Sequence, residues 1–389
     1  MLHGFATDDL WEGNEGVTGL PNLTRHTNLV RSLDPHHLTL RNEGPIDTLT
    51  YQNHDSCKAG RPLGFRDMCY ATYRYSKPAW HNSSDAWGSQ MYPYPVSPEV
   101  TNHTQGMWST GLNTQVMNLS GSLCTFPQDQ FCRETHPHTP PSGDARERCG
   151  CKAGTILTYN KTKPYAQTQV VMASKRTSVW PIIQVFGWQT YGSSINCEHW
   201  GLNVSGSKFP SLDIMRCMSF QAIANGANGL QFYSLMDQFR GHCCSGATKT
   251  AQGLCVAPTA EEVEGRLQTL ESLGSELKAL TPTLLSPTVS DGTVVLSLCK
   301  AHSVRHHNEE EEEEDGQCGW PDVQWIAKQS SGGGGEITLI VVNAMEVASG
   351  TPGLGAAVDV EFIVAGVAQP VKLSLDPYGV KVQTVGGGA

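Results

Sequence analysis

The chain has 389 residues, of which 39% belong to the counted hydrophobic set, enough to bury a sizeable core and too many for disorder throughout. Charged residues make up only 16% and the net charge is −10, a balance that excludes a partner bound through a phosphate backbone. No apolar run reaches the roughly 18 residues of a membrane span.

In chain order, residues 1–285 mix short apolar strand-like runs with amphipathic helical stretches. The pattern predicts strands over His3–Thr7, His37–Leu40, Ala86–Met91, Val179–Phe186 and Gly229–Leu235. Several are nearly continuous apolar runs, as parallel strands buried on both faces would be. Helices are predicted between and after them. One covers Thr24–Leu33, and another Leu212–Asn225, with Ser211 as N-cap. A third, Thr259–Leu280, opens on a capping box of Thr259 and Glu262. It carries Val263, Leu267, Leu270, Leu273, Leu277 and Leu280 on one stripe. Alternating strands and helices argue for an α/β fold with a parallel sheet. A stretch rich in Pro, Gly, Ser, Asn and Cys, about 52–165, reads as an insertion.

Beyond residue 286 the period changes to two. Val358–Phe362, Val371–Leu375 and Val380–Gln383 alternate cleanly, and Thr293–Leu298 and Glu336–Asn343 are further strands. Short strands separated by turn residues predict a small antiparallel β-domain over 286–389. An acidic and glycine-rich low-complexity loop is expected at about 305–335. It holds the carboxylate run Glu309–Asp315 and the glycines Gly332–Gly335.

The chain has 13 cysteines. So many are unusual where thiols are kept reduced. Six N-x-S/T acceptors begin at Asn22, Asn82, Asn102, Asn118, Asn160 and Asn203. Together they predict a secreted or secretory-pathway protein with disulfide-tied loops. The residues following Met1 have neither a basic segment nor an apolar core, so this chain does not itself open on a signal peptide.

Several segments resemble a little-characterised group of glycoside-hydrolase-like (β/α)8-barrel proteins. Gly4-Phe5-Ala6-Thr7-Asp8-Asp9 is similar to that group's strand ending in Asp-Glu-Pro. Asp34-Pro35-His36-His37, running on to Asn42, resembles its helix exit and next strand. Asp85 with Tyr92-Pro93 resembles an Asp…Tyr-Pro strand, and Trp180-Pro181-Ile182-Ile183-Gln184-Val185-Phe186-Gly187 its Trp-Pro-x-x-Gln-x-Phe-Gly strand. Arg216-Cys217-Met218 and Ala222–Leu230 resemble the helix and strand that follow. The resemblance implies a partial (β/α)8 barrel over residues 1–285, corresponding to about strands four to eight. The first three strands would then lie outside this chain. An antiparallel β-sandwich would follow it.

Glycoside hydrolysis needs two carboxyl groups flanking the scissile bond, one donating a proton and the other attacking or activating water. On a barrel they sit at the C-terminal ends of strands. Asp9, in the Glu place of the Asp-Glu-Pro element, is the candidate proton donor, and Glu198 its candidate partner. Glu43 and Asp237 are further carboxylates that end or follow a strand. Asn42, Tyr92, Gln184, Trp188, Trp200 and Tyr233 are candidate substrate-binding residues. Flat aromatic faces stack on pyranose rings, and amides meet hydroxyls. Arg216 is read as tying its helix to a neighbour. Gln184 cannot ionise, so it can orient a sugar but not attack one.

No P-loop, dinucleotide fingerprint or nucleophile elbow is present. Cys149-x-Cys151 and His242-Cys243-Cys244 have the wrong spacing for zinc, and neither a metal nor a cofactor is expected. The leading expectation is a glycoside-hydrolase-like protein acting on a polysaccharide or glycoconjugate. The alternative is a non-catalytic carbohydrate-binding or structural extracellular protein.

Overall fold

The structure is a computed structural model. It describes residues 3–6, 25–43, 84–93, 107, 110–111, 114, 178–187, 209–240, 257–289, 292–302, 316–318, 322–330, 335–345 and 355–386. Most of the 52–165 stretch, the Glu309–Asp315 run and Gly332–Gly334 lie outside the described residues.

Six short strands form one parallel sheet: β1 (His3–Ala6), β2 (Thr39–Glu43), β3 (Ala86–Met91), β4 (Ser178–Val179), β5 (Ile182–Gln184) and β6 (Gln231–Tyr233). The order is β1-β2-β3-β5-β6, with β4 paired to the start of β3. The sequence run Val179–Phe186 is split because Pro181 has no N–H to give a ladder. Its carbonyl still accepts from Gln231 N at 3.0 Å, so the sheet passes the break. Asn228 mends the other side, its Oδ1 accepting from Val179 N and its own N–H donating to Val179 O. Gly229 has to be glycine, since a Cβ there would lie 2.8 Å from the Trp180 indole.

Among the described residues the α-helices are α1 (residues 25–33), α2 (Leu212–Ala224) and α3 (Ala260–Leu285), and Thr110, Gly111 and Thr114 are also helical. Ser211 caps α2 through its hydroxyl. The helix ends in a Schellman arrangement: Gly226 N bonds Ile223 O and Ala227 N bonds Ala222 O, with Gly226 at φ 86°. Thr259 and Glu262 close the capping box of α3. That helix runs five residues past the expected Leu280, through Pro282. Arg216 of α2 grips Glu276 of α3 side-on, Nε to Oε2 at 2.7 Å and Nη2 to Oε1 at 2.8 Å. It ties helix to helix, as its place in the sequence suggested.

The C-terminal strands form two antiparallel sheets. One has the order β13-β10-β9, from β9 (Val323–Gln329), β10 (Ile337–Asn343) and β13 (Val380–Val385). The other is β12-β11-β7-β8, from β7 (Val294–Ala301), β8 (Gly316–Gln317), β11 (Val358–Val364) and β12 (Val371–Leu375). Strand β9 lies inside the stretch read from sequence as a loop. Every residue of β10 is buried, because the three-stranded sheet is the middle of three layers. Leu339 and Val341 face the four-stranded sheet in one core, where Trp325 meets Phe362 edge-on at 5.4 Å. Ile340 and Val342 face α2 and α3 in the other core, with Ile214, Met218 and Leu273. Hydrophobic residues on both faces explain why β10 reads as a continuous apolar run rather than an alternation.

Cys299 and Cys318, both buried, form a disulfide that joins β7 to β8 and closes a loop 19 residues long. By loop-closure entropy such a link is worth about 3 kcal/mol.

The partial (β/α)8 barrel expected from the sequence is not what the described residues form. A barrel needs a helix after each strand and closure of the sheet on itself. Among the described residues helix follows β1 (α1), β3 (helical residues 110, 111 and 114) and β5 (α2). The six-stranded sheet these residues show is open, and the other seven strands are antiparallel. The apolar runs located the strands correctly. They could not specify a closed barrel, because burial on both faces is common to any covered parallel sheet.

Candidate functional site

In a parallel sheet all C-terminal strand ends share one edge. Ligands of open α/β sheets bind outside that edge. Strands β3, β5 and β6 are adjacent in this sheet, so the residues just past them meet. Tyr92 follows β3, Phe186 follows β5 and Tyr233 ends β6. Their rings form one cluster. Tyr92 and Phe186 contact edge to face, with centroids 4.9 Å apart and planes at 80°. Tyr92 and Tyr233 are stacked at 5.8 Å and 28°. Phe186 closes the triangle, 6.0 Å from Tyr233 at 82°. Phe186 is fully buried, Tyr92 half-buried, and Tyr233 41% exposed. The cluster thus has a closed floor and an open face.

The floor is held by polar contacts rather than packing alone. Gln184 is completely buried, and its Nε2 donates to Phe186 O at 3.0 Å. Val185 N donates to Tyr233 O at 3.0 Å, and Gln238 Nε2 to Val185 O at 2.6 Å. The residues after β6 turn into a short 3-10 helix, Leu235–Phe239. Asp237 within it is buried; Ser234 Oγ donates to its Oδ2 at 2.6 Å and Arg240 Nε lies 3.1 Å from its Oδ1. This carboxylate therefore fixes the turn beneath Tyr233 and is closed to solvent.

Of the residues singled out from sequence, Tyr92, Gln184 and Tyr233 come together at this edge. Gln184 is there as a support for the ring cluster, since its amide has no exposed surface. Asn42 lies on β2 in register with Gly88 of β3, toward the same edge; its side chain lies outside the described residues. The same holds for Glu43. Asp9, Trp188, Glu198 and Trp200 lie wholly outside the described residues. Phe186 went unassigned in the sequence although it stands two residues after Gln184. The alternation Gln184-x-Phe186 at a strand end was the available signal.

The opposite edge of the sheet is a structural anchor. Asp85, at the start of β3, accepts from Arg31 Nη2 at 2.6 Å, Thr39 Oγ1 at 2.6 Å and Thr39 N at 2.8 Å. Burial works against the charged carboxylate, but the hydrogen bonds from Arg31 and Thr39 outweigh it and hold Asp85 below the usual carboxylate range. Asp34 in the Asp-Pro-His-His turn accepts from His36 N and pairs with His37 Nδ1 at 2.7 Å, which fixes the exit of α1 into β2. Among the described residues no trio of His, Cys, Asp or Glu is placed to hold a metal ion, and no helix is long and apolar enough to cross a membrane.

The chain matches no protein-family profile, and no curated protein matches it.

Proposed function

We propose that this protein binds a carbohydrate across the C-terminal edge of its parallel sheet and cleaves it by paired-carboxylate chemistry. The observation that carries this reading is the Tyr92–Phe186–Tyr233 cluster, which offers a partly open, rigidly backed aromatic face where strand ends converge. A pyranose ring presents an apolar C–H face to such a surface, and the phenol hydroxyls of Tyr92 and Tyr233 supply hydrogen bonds to its rim. Asp9 follows the last residue of β1, Ala6, by three positions in the sequence. In the proposal Asp9 gives its proton to the glycosidic oxygen, and Glu198 attacks the anomeric carbon or activates water. The proposal gives Trp188 and Trp200 the role of stacking on further sugar rings, and Asn42 that of meeting sugar hydroxyls. The Cys299–Cys318 disulfide supports a secreted or lumenal location, since such bonds persist in oxidising compartments.

A second reading, carbohydrate binding without cleavage, is favoured by one observation. Asp237, the described carboxylate closest in sequence to the aromatic cluster, is committed to Ser234 and Arg240, and Gln184 is neutral. Glycan-array binding followed by a reducing-sugar assay on the bound glycan separates the two. The enzyme reading expects sugar release that Asp9→Asn abolishes with binding retained. Release unchanged by that substitution removes Asp9 from the chemistry, and binding with no release selects the second reading.

A further inference from the structure

A cavity of about 360 Å³ lies beside the end of β5, between the start of α2 and the first turns of α3. Its size falls within the range of small-molecule pockets. Val185, Phe209, Pro210 and Met215 supply its apolar walls, Glu262, Gly265, Arg266 and Thr269 of α3 form the facing side, and Ser211 and Gln238 complete the lining. Val185 and Gln238, which back the ring cluster, also line this cavity, but none of the three rings does, and the inference does not rest on the carbohydrate reading.

Arg266 is built into the wall. Its Nη1 donates to Gln238 O at 2.7 Å and to Arg240 O at 3.2 Å, and its Cζ lies 3.7 Å over the Phe209 ring. Two carbonyls and one aromatic face therefore fix the guanidinium plane. Those contacts use one nitrogen. The Nε–Nη2 edge makes no hydrogen bond among the described residues, and that edge has the side-on geometry that takes a carboxylate in two parallel bonds. Burial pulls the Arg266 pKa down, and Glu262 on the same helix offsets this only in part. The Glu262 carboxylate is itself engaged by Thr259 N at 2.7 Å in the capping box. The positive end of α2 opens on the same space, through its N-cap Ser211. A half-buried cation with an open donor edge, facing the apolar wall of Val185, Pro210 and Met215, asks for a single anionic group on an apolar body.

We propose that this cavity binds a small aryl carboxylate, its carboxylate paired side-on with Arg266 and its ring against Val185, Pro210 and Met215. A bare inorganic anion would satisfy the charge and leave the walls wet. A neutral ring would fill the walls and leave the guanidinium unpaired.

Benzoate titrated into the full chain by calorimetry is the test. Saturable binding is expected, with benzamide, acetate and inorganic phosphate each weaker by about tenfold or more. Arg266→Gln should erase the preference for benzoate over benzamide. Gly265→Leu is the independent variant: a Cβ at Gly265 meets nothing within 4 Å, so the side chain grows into open space on a helix that favours leucine over glycine. It should abolish benzoate binding with no fall in the unfolding midpoint, and it decides the matter even if Arg266→Gln does not fold. Absence of saturable benzoate binding, equal binding of benzamide or phosphate, or undiminished binding in a folded Gly265→Leu protein each overturns the proposal.

Discussion

Arg31 Nη2 donates to Asp85 Oδ1 at 2.6 Å, joining α1 to the first residues of β3 across 54 positions of sequence. The other carboxylate oxygen takes both the backbone N–H and the hydroxyl of Thr39 at the start of β2. Asp85 N–H returns a bond to Thr39 Oγ1 at 3.1 Å, and its carbonyl accepts from Ser178 N of β4. One side chain thus sets the register of β2 and β3 and the seat of α1 at the edge opposite the aromatic cluster.

The acid dependence of stability follows from that arrangement. Asp85 is held below its ordinary pKa in the folded chain: burial opposes ionisation, but Arg31 and Thr39 more than reverse it. A carboxyl with a depressed folded pKa contributes stability that is present above about pH 4, the unfolded value, and is lost as pH falls through the folded value. Asp85→Asn keeps the shape and removes the charge. Since a third of the side chain is exposed, we expect a loss of about 1 to 2 kcal/mol at pH 7, below the range for fully desolvated charged hydrogen bonds. Urea unfolding at pH 7 and pH 3 checks it: the gap between wild type and variant should narrow at pH 3. A gap of equal size at both pH values would show that shape, not charge, is what Asp85 contributes.

A buried amide network joins the parallel-sheet region to the C-terminal strands, and it predicts non-additive mutations. Gln221 of α2 and Asn225, its C-cap, meet Gln324 of β9, with Asn225 Nδ2 donating to Gln324 Oε1 at 2.6 Å and Gln324 Nε2 to Gln221 Oε1 at 3.2 Å. Gly111 N also donates to Gln221 Oε1, at 3.1 Å, and a Cβ on Gly111 would fall 1.6 Å from Gln324 Oε1. Gly111→Ala must therefore displace the Gln324 amide, at a cost of about 1 to 3 kcal/mol for the overpacking. Gln324→Ala strands buried partners in its own right, also about 1 to 3 kcal/mol. In the double variant the closest clash is gone and only the milder approach to Asn225 Nδ2, at 2.7 Å, remains, so the combined loss should fall short of the sum by at least about 0.5 kcal/mol. Strict additivity in denaturant titrations would mean that the close approach at Gly111 does not constrain the network.

Local chemistry was far more legible in the sequence than arrangement. The Ser211 cap, the Thr259–Glu262 capping box and the run Ala86–Met91 all stand where residue type and spacing put them, because caps and strand runs are decided within a few residues. Arg216 was legible as a helix tie although its partner Glu276 was not. Strand β9 was missed for a physical reason. Val323, Trp325 and Ala327 alternate with Gln324, Ile326 and Lys328, but Gln324 is buried on amides and Ile326 on the helices, so neither face reads as solvent. The barrel expectation failed on closure, a property of pairs of strands distant in sequence that no single apolar run encodes. At the candidate site, Tyr92 and Tyr233 were legible as aromatics near strand ends. The buried role of Gln184 was not, because its partner is the backbone carbonyl of Phe186.

The stacked pair Tyr92 and Tyr233 gives the sharpest test of the carbohydrate face. Tyr233 is the exposed member, and its ring is backed by Tyr92 at 5.8 Å and Phe186 at 6.0 Å, so it presents a preset surface with little rotamer freedom left to lose. Aromatic contacts of this kind contribute about 0.5 to 1.5 kcal/mol beyond the area they bury. Tyr233→Ala removes the surface and should weaken binding of an array-selected glycan by about tenfold, the equivalent of about 1.4 kcal/mol. Tyr233→Phe keeps the ring and gives up one hydroxyl, so most of the affinity should remain. Met236→Ala is the control: Met236 is 70% exposed on the following 3-10 helix and belongs to no ring contact, so its loss should leave binding unchanged. Near-ultraviolet circular dichroism on each variant separates lost stacking from a disturbed cluster. If Met236→Ala weakens glycan binding as much as Tyr233→Ala does, a general apolar surface rather than the ordered ring face is the binding element.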